Sequence, residues 1–137
     1  MTKQRVLFIC THNSARSQMA EALLRHRYGE RYEAQSAGTE PSRVHELAIE
    51  AMSELGIDVS GQQAKLVDDL AGEAFDFVVT VCDDAKEACP TFPNAGRALH
   101  WSLPDPSRAA GSHDERLAAF RSVRDEIARL LDETFAS

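Results

Sequence analysis

Cysteine is scarce in this sequence, with three in 137 residues, at Cys10, Cys82 and Cys89. An odd, sparse set excludes the even and dense disulfide framework of a secreted mini-protein, and reactive thiols fit better than structural bridges. The spacing of Cys82 and Cys89 does not match the Cys-x2-Cys pattern of zinc sites and dithiol proteins, and no histidine cluster completes a ligand set, so no metal is expected. Positive charge is also short: Lys and Arg number 15 against 22 Asp and Glu, a formal net charge of −7. Nucleic acid or an anionic membrane would call for a basic face, so neither is expected as a partner, and an anionic ligand has to be held by local groups. No apolar stretch approaches the length of a membrane span, and no charged N-terminal region leads into a short apolar core. A cytoplasmic protein is expected. Repeats, linkers and low-complexity tracts are missing too. A chain of this length, 43% apolar and 27% charged, fits one domain over residues 1–137 with a single core, and a monomer is expected.

What is present is organised around Cys10-Thr11-His12-Asn13-Ser14-Ala15-Arg16-Ser17, which follows the apolar run Val6-Leu7-Phe8-Ile9 and precedes a stretch with helical spacing, Gln18 to Tyr28. A strand feeding a short loop that opens a helix presents backbone N–H groups and the positive helix end to whatever occupies the loop. Cys10 stands at the start of this oxyanion cradle and Arg16 closes it. Loop amides, helix end and guanidinium all favour thiolate over thiol, and only the thiolate is a good nucleophile. Ser17 is placed to donate one more hydrogen bond to the sulfur. The competing reading of Cys10 is a small core hydrophobe at the end of a buried strand; its position between strand and helix weighs for the nucleophile.

Along the chain, Arg5 to Ile9 reads as a central strand of a parallel sheet covered on both faces. Ala20, Leu23 and Leu24 mark the buried face of the next helix, with Gly29 as a left-handed cap. Tyr32 to Ala37 is a second strand closed by Gly38. Val44, Leu47, Ala48, Ala51, Met52 and Leu55 repeat at helical steps up to Gly56. Residues 58–72 are polar and irregular, with one or two short turns at most. Phe75 to Val81 is a buried strand that delivers Cys82 to the sheet edge of Cys10. Asp83 to Ala88 has room for a short helical turn before Pro90 and Pro93. Ala98 to Trp101 is a fourth strand, Ser102 to Pro106 a constrained loop, and Leu117, Phe120, Val123, Ile127, Leu130 and Leu131 face the core from a long final helix. Strands alternating with helices give an α/β fold, a four-stranded parallel sheet with helices on both faces. Ligands of such sheets sit beyond the carboxyl ends of the strands at the switch point, where Cys10, Cys82 and Asp105 gather.

Asp105 lies between two prolines that limit the freedom of its loop. In-line displacement at a tetrahedral oxyanion expels an oxygen opposite the attacking sulfur, and a carboxylic acid placed there protonates it. The residues alone leave this reading even with that of a loop-solvating turn. A phosphatase needs one thiol, whereas reducing an oxyanion by two electrons turns two thiols into a disulfide, and a third regenerates the first.

The loop Cys10 to Ser17 resembles the phosphate loop of the low-molecular-weight tyrosine phosphatase superfamily, and the whole chain is similar to the thioredoxin-coupled arsenate reductases that share its fold. The matching pieces are the start through Ser17, Gln35-Ser36-Ala37-Gly38, Val81-Cys82-Asp83 through Cys89-Pro90, and His100-Trp101 leading to Asp105-Pro106. The resemblance implies that the loop Thr11, His12, Asn13, Ser14, Ala15, Arg16 and Ser17 holds arsenate, that Cys10 attacks it, and that Asp105 protonates the departing oxygen. It implies further that Cys82 attacks the Cys10 sulfur as arsenite leaves, and that Cys89 then attacks Cys82, leaving Cys82–Cys89 for thioredoxin. Some relatives hold potassium with residues that align with Asn13, Glu21 and Ser36 and with an acidic residue where this chain has Lys65. That lysine puts the ion in doubt, so no cofactor is expected; it supplies positive charge to Glu21 or Asn13, or is simply solvated. The alternative function is a phosphotyrosine phosphatase using Cys10, Arg16 and Asp105 alone, although Ser107 stands where such enzymes usually place Tyr. A third is a non-catalytic redox sensor or anion-binding module. None of the five histidines is assigned a catalytic role.

Overall fold

The protein is described here by a computed structural model covering residues 3–40, 42–83, 92 and 95–136. Strands β1 (Gln4–Cys10), β2 (Tyr32–Gly38), β3 (Phe75–Thr80) and β4 (Ala95–His100) form one wholly parallel sheet in the order β2-β1-β3-β4. The apolar run of β1 is buried from Val6 to Cys10, as suits a strand flanked and covered on every side. Cys10 lies opposite Gly38, Ile9 opposite Thr80, and Thr80 opposite His100. All four strands therefore end at one edge, and the connections leaving the neighbouring strands β1 and β3 run in opposite directions across the sheet. That is the switch point, and Cys10 is on it.

Helices α1 (Arg16–Tyr28), α2 (Glu46–Ser53) and α3 (His113–Phe135) share one core with the sheet. Val6 and Phe8 of β1 meet Met19, Leu23 and Leu24 of α1, Leu47 and Met52 of α2, and Phe120, Ile127 and Leu131 of α3. Each such side chain contributes about 1.5–3 kcal/mol by leaving water. On the opposite face Leu7, Ile9, Phe75 and Val78 pack with Phe92 and with Leu70 from a 3-10 helix, Val67–Leu70. The handedness of parallel crossovers explains this division. The β1-to-β2 and β2-to-β3 connections travel in opposite directions, so right-handed crossings send them to opposite faces. Since α2 stays with α1 and α3, the second crossing falls to the 3-10 turn.

Several boundaries differ from the sequence pattern. The first helix starts at Arg16, so the loop's guanidinium is already helical. Gly29 has φ −62°, a right-handed and not a left-handed end. It is needed for space, because a Cβ there would lie 2.3 Å from the Arg25 carbonyl oxygen. The fourth strand begins at Ala95, three residues before the expected Ala98, since Gly96 and Arg97 carry no apolar alternation. The polar stretch 58–72 contains the 3-10 turn and a parallel bridge from Leu66 to Gly38. A capping box, Ser112 with Glu115, starts α3. Cys89 and the reading of a helical turn from Asp83 to Ala88 lie outside the described residues, except for Asp83 itself. Among the described residues no helix is long and apolar enough to cross a membrane.

Candidate active site

The loop between β1 and α1 is fixed from outside by its carbonyls. Thr11 O accepts from Thr39 N at 2.8 Å and Glu40 N at 3.1 Å, and Ser14 O from His45 N at 2.8 Å. Asn13 O accepts from Gln18 Nε2 at 3.0 Å. No peptide in the described chain is cis, so each carbonyl turned outward sets the next N–H in the opposite direction, into the loop. The amides of His12, Ser14 and Ala15 thus join the start of α1 in lining a concavity for an anion. Asn13 makes the turn with φ 52°, a left-handed conformation that asparagine tolerates better than most residues.

Cys10 is buried, and its Sγ accepts from Asn13 N at 3.2 Å. Ser17 Oγ is 2.8 Å from the sulfur and also accepts from Asn13 Nδ2 at 2.7 Å. An amide NH2 can only donate, so Ser17 Oγ accepts there and its hydroxyl proton remains available to Cys10 when the sulfur is a thiolate. The sulfur therefore faces two donors, an arrangement suited to a thiolate. Asn13 is locked in turn: its Oδ1 accepts from Lys65 N at 2.8 Å and Gln18 Nε2 at 3.1 Å. Gln18, wholly buried, also reaches Gln63 O. Gly38 closes the back of the loop. A Cβ there would lie 2.8 Å from both Asn13 N and Thr11 O.

Arg16 is buried, donating to Leu103 O at 3.0 Å, with its guanidinium 3.9 Å from Asp105 Oδ2. Asp105 Oδ1 accepts from Ser107 N at 2.9 Å and Ser107 Oγ at 2.6 Å, and Arg108 lies 3.8 Å from Oδ2. Each of these partners is a donor, which suits a carboxylate. The same strap reaches Cys82, buried just beyond β3: Leu103 N donates to Cys82 O at 3.4 Å. The structure thus brings together Cys10, the Thr11 to Ser17 loop, Arg16, Asp105 and, through Leu103, Cys82. Within the loop His12 differs. Its side chain is exposed and turned to Glu40, 3.0 Å away, so it supplies only backbone to the concavity.

Glu21 is buried below the loop, accepting from Ser36 Oγ at 2.8 Å and Arg25 at 2.8 Å, with Lys65 Nζ 3.7 Å from Oε1. Two cationic side chains and a hydroxyl proton already serve this carboxylate, so the residues do not fit a further cation. Sequence reasoning passed over Gln18 and His45, and marked Ser107 only as a departure from the phosphatases' Tyr. A buried glutamine in the first turn of a helix has no pattern to mark it, whereas His45, directly before the periodic stretch of α2, stands where N-caps occur.

Residues 5–137 match the low molecular weight phosphotyrosine protein phosphatase family. An arsenate reductase of Halalkalibacterium halodurans is 41% identical over 136 residues, covering 99% of this chain and 97% of that protein. Among solved structures, an arsenate reductase in the phosphate binding state superposes with a TM-score of 0.83 at 32% identity, over 97% of both chains. A thioredoxin-dependent arsenate reductase of Corynebacterium glutamicum gives a TM-score of 0.68 at 32% identity, over 96% of this chain and 61% of that one.

Proposed function

The chain belongs to the low molecular weight phosphotyrosine protein phosphatase family, and from that premise we propose that it works as an arsenate reductase, taking its electrons from thioredoxin. The observation that carries the reading is the junction of two sulfurs at one sheet edge: Cys10 in the anion loop, and Cys82 tied through Leu103 to the strap that holds Arg16 and Asp105. A phosphatase has no use for the second sulfur.

In the proposed reaction arsenate enters the loop, its oxygens take the inward amides and Arg16, and Cys10 displaces one oxygen as water. Asp105 delivers the proton for that oxygen, and because its resting partners are all donors, the proton arrives with the substrate. Cys82 then attacks the Cys10 sulfur. The electron pair of the S–As bond stays on arsenic, which leaves as arsenite, and a Cys10–Cys82 disulfide forms. Cys89 attacks Cys82, freeing Cys10, and thioredoxin reduces Cys82–Cys89. Potassium has no part, since Lys65 provides the charge beside Glu21. A cycle that returns to reduced thiols suits a cytoplasmic setting.

Arsenate-dependent NADPH consumption with thioredoxin and thioredoxin reductase tests this on Cys10→Ser, Cys82→Ser and Cys89→Ser variants. All three should lose turnover, with Cys89→Ser releasing about one arsenite per enzyme before stopping. An aryl phosphate hydrolysed at full rate by Cys82→Ser, with no arsenate turnover by the unaltered protein, would establish the phosphatase reading instead.

A further inference from the structure

His45 joins three elements in one residue. Its backbone N–H donates to Ser14 O of the anion loop at 2.8 Å. Its Nδ1 accepts from Leu47 N at 3.0 Å, capping α2. Its ring lies against Phe120 of α3, with centroids 4.7 Å apart. Only an imidazole with an unprotonated Nδ1 can make that cap; in the imidazolium form Nδ1–H meets Leu47 N–H, donor against donor. Among the described residues, every other brace on the loop carbonyls is a backbone amide, the Thr39 hydroxyl or the Gln18 side chain, none of which titrates near neutrality. Of the described residues that brace these carbonyls, His45 is the one whose side chain is an imidazole.

We infer that His45 is a positioning residue for the oxyanion: its neutral ring, by capping α2, fixes the backbone N–H that holds Ser14 O and turns Ala15 N–H into the loop, and protonation of the ring loosens that hold. The inference rests on the loop being the anion site, as proposed above. Burial and three charged groups set the proton's affinity for the ring. Partial burial and the positive charge of Arg116 on α3 push it below the ordinary imidazole range, while Glu46 on α2 and Asp105 beyond β4 oppose them. Phe120, the ring's packing partner, carries no charge. The neutral form is therefore the resting one at neutral pH, and the release belongs to mild acid, below about 6.5.

Asparagine is a strong N-cap that does not titrate in this range, so His45→Asn separates capping from protonation. Inorganic phosphate is the probe, and its affinity for the reduced, full-length protein is measured calorimetrically from pH 5 to 8. Phosphate itself titrates in the same window, but identically against both proteins, so the ratio of the two affinities isolates residue 45. Above pH 7 the ratio should be flat. Between pH 7 and 5 the unaltered protein should lose about three- to tenfold relative to His45→Asn, the worth of a cap. His45→Ala, if it folds, should bind more weakly throughout without that extra slope. Nitrogen NMR should find Nδ1 unprotonated at pH 7.5. Affinity curves that run parallel across the whole range, or a protonated Nδ1 at pH 7.5, overturn this inference alone. No phosphate binding at any pH overturns both it and the anion-loop reading beneath it.

Discussion

Replacing Gly38 by alanine puts one methyl group against the back of the anion loop. The new Cβ would sit 2.8 Å from Asn13 N, 2.8 Å from Thr11 O and 2.9 Å from His12 C. Ordinary contacts of this kind are about 3.5–4 Å, so the shortfall is about 0.7 Å or more. All three atoms are backbone, and each belongs to a peptide that is pinned elsewhere, so no flexible side chain can swing away. The loop itself must move. Overpacking of this kind costs about 1–3 kcal/mol, reduced by about 0.4–1 kcal/mol because alanine restricts the unfolded chain. The net loss of stability should be about 1–2 kcal/mol, a fall in Tm of roughly 3–8 °C for a chain this size. Activity should suffer more than stability, because a shift of several tenths of an ångström in Asn13 N reaches Cys10 Sγ directly; kcat/KM for arsenate should drop about 100-fold. Gly72→Ala is the control. No atom lies within 4 Å of its added Cβ, so Tm should hold or rise slightly. Calorimetry, with phosphate protection of Cys10 against iodoacetamide, reads both effects. If Gly38→Ala matches Gly72→Ala in Tm, protection and kcat/KM, the account of the loop as a tightly backed cradle is wrong.

Ser17→Ala removes the hydroxyl that Asn13 leaves available to Cys10; alkylation of Cys10 at pH 7 should slow, and kcat/KM should fall about 10- to 100-fold, whereas an unchanged alkylation rate contradicts the donor assignment. Lys65→Asp places a carboxylate where an ammonium now stands 3.7 Å from Glu21; this variant should gain Tm in potassium over sodium at equal ionic strength while the unaltered protein does not, and a potassium-specific gain in the unaltered protein refutes the substitution of lysine for an ion. Glu54, paired first with Arg121 and then with Arg124, has its carboxyl held down at about 2. A carboxyl depressed on folding contributes stability above its unfolded value of about 4.3 and loses it as pH falls toward 2. The Tm gap between the unaltered protein and Glu54→Gln should therefore be present at pH 6 and shrink between pH 4.5 and 2; a constant gap means that packing, not charge, sets it.

The strands and helices were legible because burial writes itself into period and composition. The run Val6 to Ile9 and the spacing of Leu117, Phe120, Ile127 and Leu131 leave little else to choose. Cys10 and Arg16 could be found because both stand in one short loop whose chemistry depends on sequence neighbours. What holds that loop was harder to read. Thr39, Glu40 and His45 act on it through backbone N–H groups, and a backbone amide is the same in every residue but proline. Lys65 is a different case: its side chain stands out as a charge beside Glu21, but its N–H to Asn13 Oδ1 leaves no trace in the residue type. The segment 58–72 looked featureless for that reason, although its Leu66 bridge and Lys65 O complete the outer side of β2 at Gly38.

The strap from Trp101 to Ser107 shows why residues far apart in sequence have to be considered as one unit. Leu103 is an apolar residue with no chemistry of its own, yet its N–H binds Cys82 O and its carbonyl binds Arg16, 87 positions away. Two residues later Asp105 faces the same guanidinium, and Ser107 holds Asp105 by both hydroxyl and amide. An oxyanion entering the loop competes with Leu103 O and Asp105 for Arg16. Any rearrangement that gives Arg16 to the anion must therefore be felt at Asp105 and, through the Leu103 peptide, at the backbone of Cys82. A proline at 103 would remove the N–H while preserving the carbonyl. It would separate the two ends of this connection, leaving Arg16 its partner while removing the Leu103 bond from Cys82 O. Phosphate binding should then survive, whereas the proposed step that joins Cys82 to Cys10 should slow; equal loss of both would show that the strap works only as a rigid whole.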